Sequence, residues 1–241
     1  MKKSAEKIGI LGFGEIGQAI AKFYPSTGSG RVKIKDLKRD DGLVSLDVLH
    51  VCIPFSPKFV SIVKKEIASS NPKLVIVHST VAPGTIKKIG PMAVHSPVRG
   101  VHPNLYKGIK TFVKYIGADD KKTGLAAQKH LRSLGITTQL VNSSKTTEAL
   151  KLWDTTQYGW MIILNKEMKK WCDDNDVDFE TVYTHANKTY NEGYKKLGRP
   201  EVLRPHLTYM KGKIGGHCVV PNAKILKSDI SAILVRKNNG F

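Results

Sequence analysis

The chain has 241 residues, and 39 Lys or Arg against 20 Asp or Glu give it a formal net charge of +19 at pH 7. This length suffices for one large domain or two modest ones, and no apolar run approaches the roughly 20 residues of a membrane-spanning helix. The basic start runs into a glycine turn and Glu15 rather than an apolar stretch, so no secretory signal is expected. Three widely spaced cysteines, Cys52, Cys172 and Cys218, favour a reducing cytoplasm over disulfides or a bound metal.

The positive charge has two interpretations. Such a field attracts polyanions and speeds the arrival of anionic substrates and cofactors. Several pairs of lysines, however, lie on predicted helix surfaces, and no long basic run is interleaved with aromatic residues. We favour a charge spread over solvated faces, and we expect a small anionic substrate, no specific nucleic acid and no membrane partner.

A glycine-rich turn near the start organises the first half of the chain. The apolar run Ile8 to Leu11 predicts a buried strand, and Gly12, Gly14 and Gly17 follow it at G-x-G-x-x-G spacing before a helical pattern. In a dinucleotide site the first glycine permits the tight turn, the second admits the pyrophosphate and the third lets helix and strand pack closely. The spacing also suits a bare structural turn, but its place between strand and helix favours a dinucleotide site.

The next predicted strand, Val32 to Asp36, ends in an acid 24 residues after Gly12. A carboxylate about 20 residues beyond the first glycine binds the adenosine ribose in such sites, which favours NAD. The neighbouring cations Lys35, Lys38 and Arg39 leave NADP as the alternative, since a cation could bind its 2′-phosphate. A polar connection follows, with a turn predicted at Asp40-Asp41-Gly42.

Strand and helix patterns then alternate as far as residue 141. Helices are predicted over Phe59–Ile67 and Lys121–Leu134, and strands over Asp47–Pro54, Leu74–His78, Phe112–Gly117 and Thr137–Val141. The alternation predicts the α/β class, with a Rossmann-type, doubly wound parallel sheet. Ligands bind beyond the carboxyl ends of such strands, where Pro54, Thr80 and the turn His95-Ser96-Pro97 lie. We expect the dinucleotide to contact Gly12, Gly14, Glu15, Ile16, Gly17, Asp36, Pro54 and Thr80.

The pattern becomes purely helical near residue 143. Helices are predicted over Ser144–Asn175, with Ser144 as N-cap, over Asp178–Leu197 with a break near Gly193, and over Pro221–Lys237. We therefore predict an NAD-binding Rossmann domain over residues 1–142 and a smaller all-α domain, on the substrate side, over residues 143–241.

The long predicted helix is rich in large apolar side chains. They lie around more than one face, and they are Trp153, Tyr158, Trp160, Met161 and Trp171. A small domain can hardly cover them all, and large exposed apolar patches usually mark interfaces. This composition predicts a homodimer that buries the helix over residues 144–175.

Two groups of residues could carry chemistry. The first is a shared helix face, formed by Glu148, Lys151 and Thr155. A lysine whose stem is buried there can hold an oxyanion or act as a general acid or base. The alternative is a solvated lysine without a chemical role, which is true of most lysines. In Gly215-Gly216-His217-Cys218 the glycines leave the thiol accessible, and a thiolate near Lys151 or His217 would be nucleophilic. A buried thiol beside a flexible turn is the alternative.

Six motifs in this order resemble those of the nucleotide-sugar (UDP-glucose and UDP-N-acetylmannosamine) dehydrogenases, within the 6-phosphogluconate dehydrogenase-like group: GFGEIG, HSTVAPGT, HSPVRG, EALKLWDTT, NKE and GKIGGHCVVPNAKIL. The resemblance covers nearly the whole chain. It implies an NAD-dependent dehydrogenase that oxidises a CH–OH group of an anionic alcohol or aldehyde, such as a sugar derivative. It also implies that Cys218 traps an aldehyde as a thiohemiacetal, that Lys151 stabilises the oxyanion and that Thr80 positions a water.

The sequence departs from this family at several positions. Thr155 and Asn222 stand where the family has Asn and Asp, and Val98 and His102 where it has glutamates. The family also continues into a second nucleotide-binding domain, so the chain resembles a short form without the UDP-binding domain.

Two other functions are compatible with the sequence. One is a short β-hydroxyacid or prephenate-type dehydrogenase, which moves one hydride, uses Lys151 or His102 for acid–base chemistry and makes Cys218 incidental. The other is a non-catalytic homologue that binds a dinucleotide as a sensor or scaffold.

Overall fold

A computed structural model describes residues 6–24 and 32–241 of the protein. Its contacts divide the chain into two compact units, Met1–Lys151 and Leu152–Phe241, and the division falls inside one long helix. The two units are taken in turn.

The first unit is built on an eight-stranded sheet. The strands are β1 (Ile8–Leu11), β2 (Val32–Asp36), β3 (Arg39–Asp40), β4 (Val48–Val51), β5 (Leu74–Val77), β6 (Ala93–His95), β7 (Lys114–Gly117) and β8 (Thr138–Val141). Their order is β3-β2-β1-β4-β5-β6-β7-β8, and β2, β1, β4, β5 and β6 are parallel. The predicted Rossmann-type sheet is confirmed, with one correction: β7 is antiparallel to β6, and β8 runs with β7, so that edge is reversed.

Helices cover both faces of the sheet. They are α1 (Glu15–Ala21), α2 (Phe59–Ser70), α3 (Thr85–Ile89), α4 (Leu105–Thr111) and α5 (Lys121–Ser133). One apolar cluster packs the sheet against α1, α4 and α5, and a second packs its other face against α2 and α3. The two short helices α3 and α4 were not predicted, because five to seven residues show too little periodicity.

The second unit is helical, as predicted. The long helix α6 (Ser144–Asp174) enters it, and a π-helical turn (Glu180–His185), α7 (Ala186–Lys196), a 3₁₀ turn (Pro200–Val202), α8 (Val219–Leu226) and α9 (Asp229–Asn239) follow. Small apolar clusters stabilise this unit, and one of them joins Ile163 of α6 to Val219, Ala223 and Leu234 of the last two helices.

Three local predictions for helix ends and turns were wrong. Asp40 lies in β3, which forms a hairpin with β2, and not in the turn. Gly193 lies within α7 without breaking it, since a single glycine costs an exposed helix only about 1 kcal/mol. The single last helix is two helices, because Lys227 takes a left-handed conformation at φ 53° and Ser228 caps α9.

The start of α6 also differs from the prediction. The Ser144 hydroxyl donates to Asp119 at 2.7 Å, so Ser144 does not act as the predicted N-cap. The Thr146 N–H instead donates to the Ser143 hydroxyl oxygen at 3.2 Å. The cap therefore lies one residue earlier than the sequence pattern indicated.

Candidate functional site

The three glycines after β1 have different surroundings. Gly12 has φ +93°, and a Cβ on it would lie 2.8 Å from the backbone of Cys52. A Cβ on Gly17 would lie 2.1 Å from the Gly12 carbonyl oxygen, so this position admits no side chain. A Cβ on Gly14 would meet nothing within 4 Å. The turn and the helix packing therefore require two of the glycines, while Gly14 faces open space that a pyrophosphate could fill.

Asp36 is held beside this glycine loop. One carboxylate oxygen accepts the Phe13 N–H at 2.6 Å, and the other accepts the Leu37 N–H at 2.7 Å. The carboxylate is thus fixed at the carboxyl end of β2, next to β1, with further lone pairs available. This is the place and the chemistry expected for recognition of ribose hydroxyls.

The other predicted cofactor contacts follow the neighbouring parallel strands. Pro54 is exposed just beyond β4, and Thr80 is partly exposed just beyond β5. The Ser79 hydroxyl donates to the Ile53 carbonyl at 2.6 Å, which ties these two loops together. Since β1 pairs with both β2 and β4, the glycine loop lies where the strand order reverses, the usual ligand position in such sheets.

His102 lies at the glycine-loop end of this edge. Its Nδ1 is in hydrogen-bond contact with the carboxylate of Glu15, the first residue of α1, and both side chains are nearly half exposed. The contact joins the loop after β6 to the start of α1. Two residues predicted for different roles, His102 for catalysis and Glu15 for cofactor binding, are therefore brought together.

The residues predicted to share one face of α6 have different surroundings in the structure. Glu148 is fully buried, and its carboxylate accepts the N–H groups of Gly84 at 2.5 Å and Ile86 at 2.8 Å. It therefore caps α3 and anchors α6 to the sheet. Burial lowers the pKa of the His95 imidazole, at the carboxyl end of β6, and the charges of Lys114 and Lys151 lower it further, to about 3. Lys151 is therefore within electrostatic range of this strand end.

Cys218 belongs to the second unit, where it is the N-cap of α8 and partly exposed. It follows Gly216, whose φ of +77° is in the left-handed region. The buried Asn222 amide donates to the Thr155 hydroxyl at 3.2 Å, and the Asn222 N–H donates to the Cys218 carbonyl at 3.0 Å. Two of the four positions at which the sequence departs from the nucleotide-sugar dehydrogenases, Thr155 and Asn222, are thus in contact, and they brace the turn that carries the thiol.

The sequence interpretation missed a group of buried polar residues behind the parallel strands. Tyr24, His50, His78 and His130 form one hydrogen-bonded chain. Lys114 is buried beside it and donates to the carbonyls of Ser96 at 2.7 Å and Pro97 at 3.1 Å, and burial lowers the pKa of its ammonium to about 7. The only available signal was the presence of His50 and His78 within apolar strand patterns.

Two classes of structure are absent from the described residues. Within residues 6–24 and 32–241, no three or more His, Cys, Asp or Glu side chains are grouped so that they could hold a metal ion. In the same ranges no helix combines the length and the apolar character that crossing a membrane requires.

Comparison of the sequence with family models and with curated proteins found no match. Solved structures do match. The UDP-D-ManNAc dehydrogenase of Pyrococcus horikoshii superposes with a TM-score of 0.79 at 20% identity, over 97% of this chain and 68% of that one. An NDP-N-acetyl-D-galactosaminuronic acid dehydrogenase of Methanosarcina mazei Go1 superposes with a TM-score of 0.70 at 16% identity, over 99% of this chain and 66% of that one.

A shorter enzyme is similar as well. The 3-hydroxyisobutyrate dehydrogenase of Mycobacterium tuberculosis, in a structure with L-serine, gives a TM-score of 0.69 at 14% identity, over 96% of this chain and 91% of that one. These likenesses confirm, at the level of the fold, the resemblance seen in the sequence motifs. The chain spans about two thirds of the two nucleotide-sugar dehydrogenases and most of the shorter enzyme.

Proposed function

We propose that this protein is an NAD-dependent dehydrogenase of the nucleotide-sugar dehydrogenase type, acting on a CH–OH group of an anionic alcohol or aldehyde, such as a sugar derivative. The observation that carries the proposal is the glycine loop with Asp36 fixed beside it at the strand-order reversal. Gly14 leaves room for a pyrophosphate, and the Asp36 carboxylate is placed to accept ribose hydroxyls. Three free cysteines fit a cytoplasmic setting.

In this proposal the residues of the chain have separate tasks. Bound NAD would accept the hydride in each oxidation. The Cys218 thiolate would attack the aldehyde carbon to form a thiohemiacetal, and the Lys151 ammonium would stabilise the oxyanion. After the second hydride leaves, a water held by Thr80 would cleave the thioester, releasing the acid and the thiol. The motifs GGHC and STVAPGT support these roles.

The first test is dinucleotide binding by calorimetry. We expect the protein to bind NAD, and we expect Asp36→Asn to weaken binding about tenfold, because a charge-assisted hydrogen bond to ribose is lost. Ser61→Ala, a change on exposed α2 surface, is the control and should bind as the unmodified protein does. Absence of NAD binding to the folded protein would refute the proposal.

The role of Cys218 is tested by alkylation. Iodoacetamide should modify the partly exposed Cys218 before Cys52 and Cys172, which are buried, and burial also raises the pKa of the Cys52 thiol to about 12. We expect bound NAD to slow the reaction at Cys218. Equal rates at all three thiols, measured by mass spectrometry, would contradict the nucleophile assignment.

A β-hydroxyacid-type dehydrogenase is the second candidate. The fold likeness to the 3-hydroxyisobutyrate dehydrogenase, with a TM-score of 0.69 over 96% of this chain, supports it. One hydride would then move, with Lys151 or His102 as acid or base. Cys218→Ser distinguishes the two: it should abolish activity in the first case and barely change it in the second. NAD binding without turnover of any substrate tested would instead indicate a non-catalytic dinucleotide-binding protein.

We also propose a homodimer through α6. Trp153, Leu164 and Trp171 are 46%, 59% and 58% exposed, and their spacing of 11 and 7 positions places them on one line of the helix. An antiparallel two-fold pairing centred on Ile162 would place Trp153 of each copy against Trp171 of the other. This pairing would bury the exposed apolar side chains of this line in both copies.

Light scattering at micromolar concentration tests the dimer. We expect a dimer for the unmodified chain and a monomer for Trp171→Glu, because a buried carboxylate cannot be accommodated there. Leu197→Glu, at a residue 72% exposed outside this line, should stay dimeric. A monomeric unmodified protein would contradict the proposal.

A further inference from the structure

We propose that Asp41 is a specificity-determining residue, which selects NAD over NADP by holding Arg39 away from the ribose 2′ position. The inference rests on the proposed dinucleotide function. It concerns the hairpin of β2 and β3, which extends the sheet edge next to the glycine loop.

The hairpin brings a cation next to the predicted ribose site. Asp36 and Arg39 are cross-strand partners, joined by the two-residue turn of Leu37 and Lys38. The Arg39 guanidinium also lies over the ring of Phe13, 5.7 Å from its centroid. Phe13 is the residue whose N–H binds Asp36. Arg39 therefore lies next to the predicted ribose site, where a nearby arginine can bind the 2′-phosphate of NADP.

A carboxylate two residues further along engages this cation. Arg39 Nε donates to the two Asp41 oxygens at 2.9 and 3.1 Å, and Nη2 donates to one of them at 2.8 Å. Asp41 itself is fixed, because it also accepts the Ile34 N–H at 2.9 Å. The guanidinium lowers the pKa of the Asp41 carboxyl, so the pair stays ionised at neutral pH. A forked contact of this kind neutralises the charge and fixes its direction.

The neighbouring lysine is neutralised in the same way. Lys35 Nζ lies 2.9 Å from a carboxylate oxygen of Glu66, whose side chain is only 6% exposed, and 3.5 Å from Asp40. Two of the three cations close to Asp36 thus have carboxylate partners of their own. The unshared negative charge of Asp36 then dominates the ribose site, repels a 2′-phosphate and favours NAD.

The experiment compares the binding of NAD and NADP to the full-length protein by calorimetry. Asp41→Asn keeps an oxygen for the Ile34 N–H but loses the charge that holds Arg39. We expect the NADP-to-NAD affinity ratio to rise about tenfold, since a released guanidinium can form a charge-assisted hydrogen bond to the phosphate. Asp40→Asn is the matched control: it makes the same change one residue away, and it should leave the ratio unchanged because Lys35 keeps its closer contact with Glu66.

A second substitution identifies the cation. Adding Arg39→Gln to Asp41→Asn should return the ratio to that of the unmodified protein. An unchanged ratio in Asp41→Asn, or a gain that survives Arg39→Gln, would overturn the inference, as would an equal gain in Asp40→Asn. If Asp41→Asn does not fold, as judged by circular dichroism, Asp41→Ser serves with the same expected rise. NAD binding with an unaltered ratio would refute only this inference, whereas loss of all dinucleotide binding in the unmodified protein would refute the proposed function too.

Discussion

The central strands β4 and β5 present two different surfaces to the two sides of the sheet. On the side of α2 and α3, Leu49, Val51, Val75 and Val77 form an apolar cluster with the helices. On the other side, His50 of β4 and His78, the residue after β5, lie among apolar neighbours, and both imidazoles are buried. Alternation along a strand thus separates an apolar packing surface from a buried polar network.

The polar side is organised by one chain of hydrogen bonds. Its links are His78 Nδ1 to the Ser96 carbonyl at 3.0 Å, His50 Nδ1 to His78 Nε2 at 2.8 Å, Tyr24 hydroxyl to His50 Nε2 at 2.7 Å, and Tyr24 hydroxyl to His130 Nε2 at 2.8 Å. At the far end His130 Nδ1 lies 3.1 Å from a carboxylate oxygen of Glu6, which is largely exposed.

The acceptor at one end assigns the protons along this chain. A carbonyl only accepts, so His78 Nδ1 carries a hydrogen and its Nε2 accepts from His50. His50 Nε2 then accepts from the Tyr24 hydroxyl, whose oxygen accepts from His130. The inner imidazoles are therefore neutral, and His130 is the member of this chain that faces a carboxylate, Glu6. The difference between the two sides of the sheet is a difference in response to pH, as well as in polarity.

Acid should produce the largest effect, and two of the three buried imidazoles on which it acts, His50 and His78, lie on the polar side. Burial holds the pKa values of His50 and His78 well below their usual range, and that of His95 at about 3. Below pH 6.5 these imidazoles bind protons in the unfolded chain but stay neutral in the folded chain. The free energy of unfolding therefore falls as the pH falls. Three such imidazoles give a slope of about 4 kcal/mol per pH unit.

Urea unfolding between pH 6.5 and pH 5 measures this slope. His78→Asn should reduce the slope by about a third, because one of the three titrating imidazoles is removed. Val77→Ala, at the adjacent residue on the apolar side, should lower stability equally at every pH. A free energy of unfolding that does not change between pH 6.5 and pH 5 would show that the histidines are not buried as neutral groups.

The apolar side should respond to lost volume instead. Phe59 of α2 is fully buried, and Phe59→Ala should cost about 3–5 kcal/mol at all pH values, since it removes a large side chain and leaves a cavity. Ile62→Ala on the same helix, at a residue 43% exposed, is the control and should change stability by no more than about 0.5 kcal/mol. A loss at Phe59 that varied strongly with pH would contradict the separation of the two sides.

The smallest expected effect comes from one hydroxyl of the polar chain. Tyr24→Phe leaves His50 and His130 without the oxygen that both contact, and should cost about 1–3 kcal/mol at pH 8. Tyr106→Phe, where the ring packs against Phe23, should cost less than about 0.5 kcal/mol. Equal effects in the two variants, measured by urea unfolding, would show that the chain does not stabilise the fold.

The sequence alone determined the features that depend on neighbouring residues. The run from Ile8 to Gly17 predicted β1, its turn and α1, because two of the glycines are required by contacts within that turn or with the adjacent strand. The sequence also predicted Asp36 at the end of β2, and the structure places it there, beside the glycine loop. The alternation of short apolar runs with helical stripes predicted the sheet. Local periodicity is sufficient here, since each such element is specified by roughly ten consecutive residues.

The tertiary structure decided what depends on residues far apart in the chain. The polar network joins side chains 28 and 106 positions apart, so no window of sequence shows it. The same holds for Glu148, which caps α3 from 62 and 64 positions away, and for the reversed edge of β7 and β8. A side chain's burial and hydrogen-bond partners are properties of the packed fold, and they determine whether a His, Lys or Glu is catalytic, structural or solvated.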